Sequence, residues 1–222
     1  MSRMRNRSLP GWALMALALT CAARDYDASG DNLSAMSDRR GNVIAVSNRA
    51  TANSSQIRLT SINRYGNFNY DVYHTDAAME RATSFFVDGA GAPVVAGVRL
   101  WQGFNYIWVM KYSTHGQFLW ENADTQAGCA AFDIVTNLTG DIWVAASCIE
   151  DQRFPVRLLH YNYAGNLVWA QNYNEGGRNY VRNLTVDFMN RVSLTMEVDN
   201  GSGNRYPRTL VFDRYGTRLA AY

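Results

Sequence analysis

Proline is scarce in this chain, with 4 among 222 residues, and charge is thin, with Asp, Glu, Lys and Arg together at 18%. Four prolines against 17 glycines suit tight turns better than linkers. A net charge of +2 leaves no basic field of the kind that draws nucleic acid. No Gly-x-Ser-x-Gly elbow, no His-Glu-x-x-His and no glycine-rich phosphate loop is present. Carboxylates are scattered, so spacing nominates no glycosidase pair. No helical period is sustained beyond the N-terminus, and no apolar run is long enough to span a bilayer. What the chain does have is apolar and aromatic bulk, 47% and 13%, with 13 Tyr and 6 Trp. That is enough to build a core for one domain or one array of repeats.

The first 23 residues read as an export signal. Arg3, Arg5 and Arg7 precede a short apolar stretch from Leu9 to Thr20, and small residues follow. Cys21 at its end resembles the lipidated cysteine of a bacterial lipoprotein, although Thr20 departs from the usual small residue before it. Cleavage after Ala23 is the alternative. Residues 24–30 are expected to be a flexible segment. Asp25-x-Asp27-x-Ser29-Gly30 opens like a calcium loop, but its twelfth position is Met36 rather than Glu. Asn53, Asn183 and Asn200 stand in glycosylation sequons, relevant only on a eukaryotic secretory route.

From residue 31 the chain repeats itself. A polar-x-x-Gly turn recurs at Asn63–Gly66, Ser113–Gly116, Asn162–Gly165 and Asp213–Gly216, with the glycines 50, 49 and 51 residues apart. A second series interleaves with it at Asp38–Gly41, Asp88–Gly91, Asn137–Gly140 and Asp187–Asn190. The first residue of each caps a type I turn with its side chain, and Gly or Asn at the fourth accepts the left-handed conformation. Each turn joins two antiparallel strands, so four repeats give about sixteen strands. Strand A reads Thr83–Val87 and Phe132–Thr136; strand B, Pro93–Val98 and Ile142–Ser147; strand C, Tyr106–Tyr112 and Val156–Tyr161; a short strand D, Gln117–Trp120 and Asn166–Trp169.

Four-stranded units of this length look like the blades of a β-propeller, and the order of strands and turns over residues 31–222 is similar to the bacterial beta-propeller repeat of exported proteins. The WD dipeptide signature and the sialidase-type box are missing. The fold class is therefore all-β, a propeller of four four-stranded blades stacked face to face. A closed ring of four blades is the smallest arrangement. Two chains closing an eight-bladed ring as a homodimer, or an open arc, are the alternatives, because the two termini do not share a blade. Trp120 and Trp169 occupy equivalent strand D sites, with Tyr70 in the first repeat, and read as packing between blades; a sugar-stacking platform is the bolder reading. Ser34, Ser84, Asp133 and Asn183 form a repeated polar position in strand A, suited to hydrogen bonds with the neighbouring blade or to lining a channel.

Cys129 and Cys148 flank the Asn137–Gly140 turn. They fall opposite each other if Asn137 pairs with Gly140, and on opposite faces if a bulge shifts the register by one. An exported context favours a disulfide; two buried free thiols are the alternative. His74, His115 and His160 lack metal-ligand spacing, so no metal or other cofactor is expected. Propeller geometry puts the B–C and D–A connections on one rim, where Arg49, Arg99, Trp101, Phe104, Arg153, Asp199, Arg205 and Tyr206 are the candidate ligand-binding residues. Exposed aromatics beside Arg suit a polar polymer or a peptide. The expected function is an exported, non-catalytic interaction module for protein or cell-envelope carbohydrate, in the periplasm, on the outer membrane or secreted. An exported hydrolase or lyase acting on saccharides is the second reading.

Overall fold

The computed structural model describes residues 34–50, 55–75, 79–149 and 154–222. Cys21, the Asp25–Gly30 segment, Asn53 and Arg153 lie outside the described residues. Among the described residues, sixteen strands form four antiparallel sheets. Blade 1 holds β1 (Ser34–Ser37), β2 (Val43–Ala50), β3 (Ser55–Ile62) and β4 (Phe68–Thr75). Blade 2 holds β5 (Met79–Val87), β6 (Pro93–Trp101), β7 (Phe104–Tyr112) and β8 (Phe118–Ala127). Blade 3 holds β9 (Cys129–Thr136), β10 (Ile142–Cys148), β11 (Val156–Tyr161) and β12 (Leu167–Tyr173). Blade 4 holds β13 (Arg178–Val186), β14 (Val192–Asp199), β15 (Arg205–Phe212) and β16 (Arg218–Ala221). Strand D is longer in blades 2 and 3 than the sequence patterns suggest, because its second half is polar and reaches the next blade.

The turns owe their shape to one side chain each. Asp38 Oδ1 accepts from the backbone N–H of Arg40 at 2.9 Å and of Asn42 at 2.8 Å. Asn63, Asp88, Ser113, Asn137, Asn162, Asp187 and Asp213 do the same for their own turns. The fourth residue is left-handed throughout, Asn190 included at φ 61°. Strand A carries an extra residue ahead of this turn, at Thr83, Phe132 and Arg182, where the register shifts. This second bulge cancels the one-residue shift at the turn. In blade 3 it returns Cys129 to a position directly opposite Cys148, and the two are disulfide-bonded.

Blades stack through a repeated ring-on-glycine contact. The strand D aromatic of each blade covers the C–D turn glycine of the next. A Cβ at Gly116 would stand 2.6 Å from the Tyr70 ring, one at Gly165 2.5 Å from Trp120, and one at Gly216 3.2 Å from Trp169. Trp169 also donates to Arg214 O at 2.9 Å. These rings are therefore packed between blades rather than offered as a platform. Asp133, of the repeated polar position, accepts from Ser84 Oγ of blade 2 and from Leu184 N–H of blade 4.

Buried side chains gather into three cores, each between consecutive blades: Ile57, Leu59 and Tyr70 with Trp108 and Met110; Val94 and Ile107 with Ile134 and Val144; Trp143 and Leu158 with Leu194 and Phe212. No such core joins blade 4 to blade 1 among the described residues, and no strand of one pairs with a strand of the other. The four blades form an open arc instead of the compact ring that economy suggested. The physical reason lies in the two end faces. On blade 4 the outward side chains of β14 are Ser193, Thr195 and Glu197; on blade 1 the corresponding face carries Ser47, Arg58 and Asp71. The blade 1 face also holds Ala45 and Ile62, but its charged and hydroxyl groups would lose hydration if covered.

Candidate functional site

Among the described residues, the rim residues nominated from sequence fall into three separate groups, with Arg49 outside them. The first is the tip of the β6–β7 hairpin. Trp101 and Phe104 are cross-strand partners, 56% and 57% exposed, on a two-residue turn whose Gln102 and Gly103 both have positive φ, 49° and 83°. The B–C connection of blade 2 is thus a tight hairpin rather than a loop, and it holds both rings on a rigid support. Leu100, also exposed, adjoins them.

The second group lies at the blade 3–4 end of the rim. Arg205 stacks over the Tyr180 ring at 4.6 Å and Arg178 over Phe154 at 5.1 Å, with the two aromatic rings 6.1 Å apart. Tyr206 beside them is exposed, and Asp199 lies 3.8 Å from Arg205 Nε. Arg49 stands apart from both groups, exposed on β2 opposite Gln56.

The third group is under the rim at the blade 1–2 junction, and sequence reasoning missed most of it. Arg99 does not project into solvent. Its Nε donates to Glu80 Oε1 at 2.6 Å and its terminal NH2 to Glu121 Oε1 at 2.7 Å. Burial works against the guanidinium charge, and the bonds from Glu121 and Glu80 more than offset it, so its pKa is held above the ordinary value. Glu80 is 2% exposed. The opposite oxygens of both carboxylates face His74, at the end of β4: His74 Nε2 is 3.0 Å from Glu80 Oε2 and 3.3 Å from Glu121 Oε2. The Tyr112 hydroxyl lies 3.2 Å from His74 Nδ1, and Trp108 Nε1 donates to Glu121 Oε2 at 3.3 Å. Burial, then the charges of Glu121 and Glu80, push the Tyr112 pKa up to about 12, so the hydroxyl stays protonated. These residues come from five strands of two blades, β4 to β8, and no pair of them has motif spacing.

One signal for this group was present in the repeat. Glu80 stands eleven residues before its turn glycine and Arg99 eight after it; Cys129 and Cys148 have the same offsets in blade 3, and Asn179 and Val198 in blade 4. All three are directly paired across strands A and B. One position is closed by an ion pair, by a disulfide and by a hydrogen-bonded amide in successive blades.

No protein-family model and no curated protein sequence matches the chain. Among solved structures, a chimera of apocarotenoid oxygenase (ACO) and RPE65 is similar, with a TM-score of 0.52 and 12% identity over 88% of this chain and 51% of that one. The D477G ACO/RPE65 chimera in a monoclinic crystal form gives 0.52 and 13% over 87% and 50%. A variant of the Synechocystis apocarotenoid oxygenase gives 0.50 and 12% over 86% and 50%. The chain spans about half the length of these structures, and at this identity the likeness shows the fold alone.

Proposed function

We propose that this protein is an exported interaction module whose propeller blades hold an aromatic hairpin tip against a protein or cell-envelope carbohydrate. The observation that carries the reading is the Trp101–Phe104 pair, more than half exposed on a two-residue hairpin. Large rings on a rigid backbone bury area without ordering a loop, which is what a binding hot spot requires. Arg205, Tyr206 and the Phe154–Tyr180 stack offer a second polar-aromatic contact on the same rim. The disulfide in blade 3 supports export to an oxidising compartment, periplasmic or extracellular. Attachment through Cys21 is part of the same proposal and is tested by the mass of the processed N-terminus: a diacylglycerol adduct supports it, and a mature chain starting at Arg24 removes it.

Binding is tested by passing envelope glycans and envelope proteins over the immobilised protein and repeating the measurement with Trp101→Ala and Phe104→Ala. Each substitution is expected to weaken a captured ligand by more than tenfold, equivalent to about 2 kcal/mol at a hot spot, with no loss of stability. Unchanged affinity in both variants removes the hairpin tip from the reading.

The saccharide hydrolase or lyase reading has one observation in its favour, the Glu80–Glu121 carboxylate pair. Against it, Glu80 is buried and both groups are engaged by one guanidinium, which leaves only Glu121 in reach of solvent. Product formation from envelope polysaccharides that disappears in Glu121→Gln would reinstate it.

A further inference from the structure

We propose that His74, Glu80 and Glu121 form a binding site for a divalent transition-metal ion of the zinc class, placed to clamp blade 1 to blade 2. The three ligand atoms, His74 Nε2 and one oxygen of each carboxylate, lie within 4.8 Å of one another. Neither imidazole contact has hydrogen-bond geometry. His74 Nε2 and Glu80 Oε2 are both buried without a hydrogen bond from any described residue, and the Glu80 side chain is 98% buried. An acceptor left in that state costs about 1–3 kcal/mol, more when it is charged.

The tautomer sharpens the point. In the tautomer a metal ligand needs, the Tyr112 hydroxyl, 3.2 Å from Nδ1, accepts from Nδ1–H and leaves the lone pair on Nε2. In that tautomer Nε2 meets two carboxylate oxygens at 3.0 and 3.3 Å, three electron-rich atoms converging on one point. A cation resolves this arrangement. Bonds of about 2.0–2.1 Å around a tetrahedral zinc ion put neighbouring ligand atoms about 3.3 Å apart, close to the 3.0 and 3.3 Å from the imidazole to the two carboxylates. Two carboxylates against one guanidinium also leave a net negative charge for the ion to balance.

The outer groups are those a metal centre uses. Arg99 holds the far oxygen of each carboxylate, Tyr112 orients the imidazole, and Trp108 donates to Glu121. The Glu121 side chain is 28% exposed, so the side facing solvent has room for water as a fourth ligand.

Comparison with the other junctions supports the assignment. The residue equivalent to His74 is Asp124 in blade 2, which binds Arg157 of blade 3 through both oxygens at 2.5 and 2.9 Å. In blade 3 it is Tyr173, whose hydroxyl donates to Gly216 O at 3.1 Å. Those junctions satisfy themselves with protein groups. In blade 2 the position of Arg157 is taken by Trp108, and the acceptors of blade 1–2 face one another.

The test uses the whole protein, stripped with a chelator and dialysed against zinc, with cobalt as the spectroscopic probe. One zinc per chain is expected by elemental analysis, and the cobalt form is expected to show the intense visible bands of a tetrahedral ion. At a free zinc concentration one hundred times the Kd, the unfolding equilibrium constant should fall about 100-fold. His74→Gln and Glu121→Gln should lose both the ion and the stabilisation, while Glu197→Gln on blade 4 keeps them. Tyr112→Phe leaves all three ligands and should weaken binding by about 10–100-fold, which guards against a ligand variant that fails to fold. Failure of the wild-type protein to bind either ion, or equal binding in His74→Gln, overturns the proposal. So does a stabilisation that follows pH alone and ignores zinc, since a bridging proton would then do the ion's work.

Discussion

Strands β10 and β14 occupy the same place in their blades, yet one is apolar on both faces and the other on one. β10 reads Ile-Trp-Val-Ala-Ala-Ser-Cys and is buried at every position but Ser147. β14 reads Val-Ser-Leu-Thr-Met-Glu-Val-Asp and alternates strictly between buried and half-buried. Blade 3 lies between two neighbours, whereas blade 4 has one. The difference teaches that in a stacked-blade protein the composition of a strand reports how many neighbours its blade has. It also explains why the arc stays open: Ser193, Thr195 and Glu197 present hydroxyls and a carboxylate where a closing blade would need apolar side chains.

The most damaging way to break this comparison is a cavity in the two-sided strand. Trp143→Ala removes a fully buried ring stacked on His160 with centroids 4.5 Å apart, and should cost about 3–5 kcal/mol. Thr195→Val on the open face of β14 should stay within about 0.5 kcal/mol. Urea unfolding of both variants checks this, and similar losses from the two would end the distinction.

The position shared by Glu80–Arg99 and Cys129–Cys148 sharpens it next. Arg99→Ala strands a buried carboxylate and should cost about 3–5 kcal/mol by denaturant titration. Reducing the disulfide, whose cysteines are 19 residues apart, should cost about 3 kcal/mol. Arg99→Ala at wild-type stability would mean that Glu80 reaches water.

A smaller contrast lies in the turn glycines. Gly66 and Gly165 have nearly the same φ, 87° and 89°, but a Cβ on Gly66 meets nothing and one on Gly165 meets the Trp120 ring. Gly66→Ala should cost about 1–2 kcal/mol, the left-handed penalty alone, and Gly165→Ala clearly more. Equal losses would show that the ring does not sit on the glycine.

The smallest effect is on pH dependence. Burial holds the His160 pKa below its ordinary 6.5, with Asp141 opposing and Arg214 adding to the shift. The unfolded chain therefore takes up the proton first. This contribution to stability is intact above about pH 6.5 and is lost as pH falls toward the lower folded value. His160→Gln should flatten that part of the stability profile; an unchanged slope would assign it to the carboxylates.

Much of this architecture was legible in the sequence because turns are local. Asp88 or Asn162 caps its own loop, and the glycine three residues on announces the bend, so strand number and repeat length follow. The alternation in Val192–Asp199 also carried the open end, once strand burial is compared between blades. The bulges at Thr83, Phe132 and Arg182 left no mark, because an extra residue in strand A looks like any other strand residue, and only ladder pairing reveals that it restores the Cys129–Cys148 register. The blade 1–2 cluster was hidden for a different reason. His74, Glu80, Arg99 and Glu121 meet only when two sheets stack, so Arg99 read as a rim residue when its charge is spent beneath the rim.

Small-angle X-ray scattering on the size-exclusion peak tests the open arc most directly. The account predicts the mass of one chain and a profile fitted by four blades with the first and last apart. A two-chain mass, or a profile that requires blades 1 and 4 in contact, would contradict it.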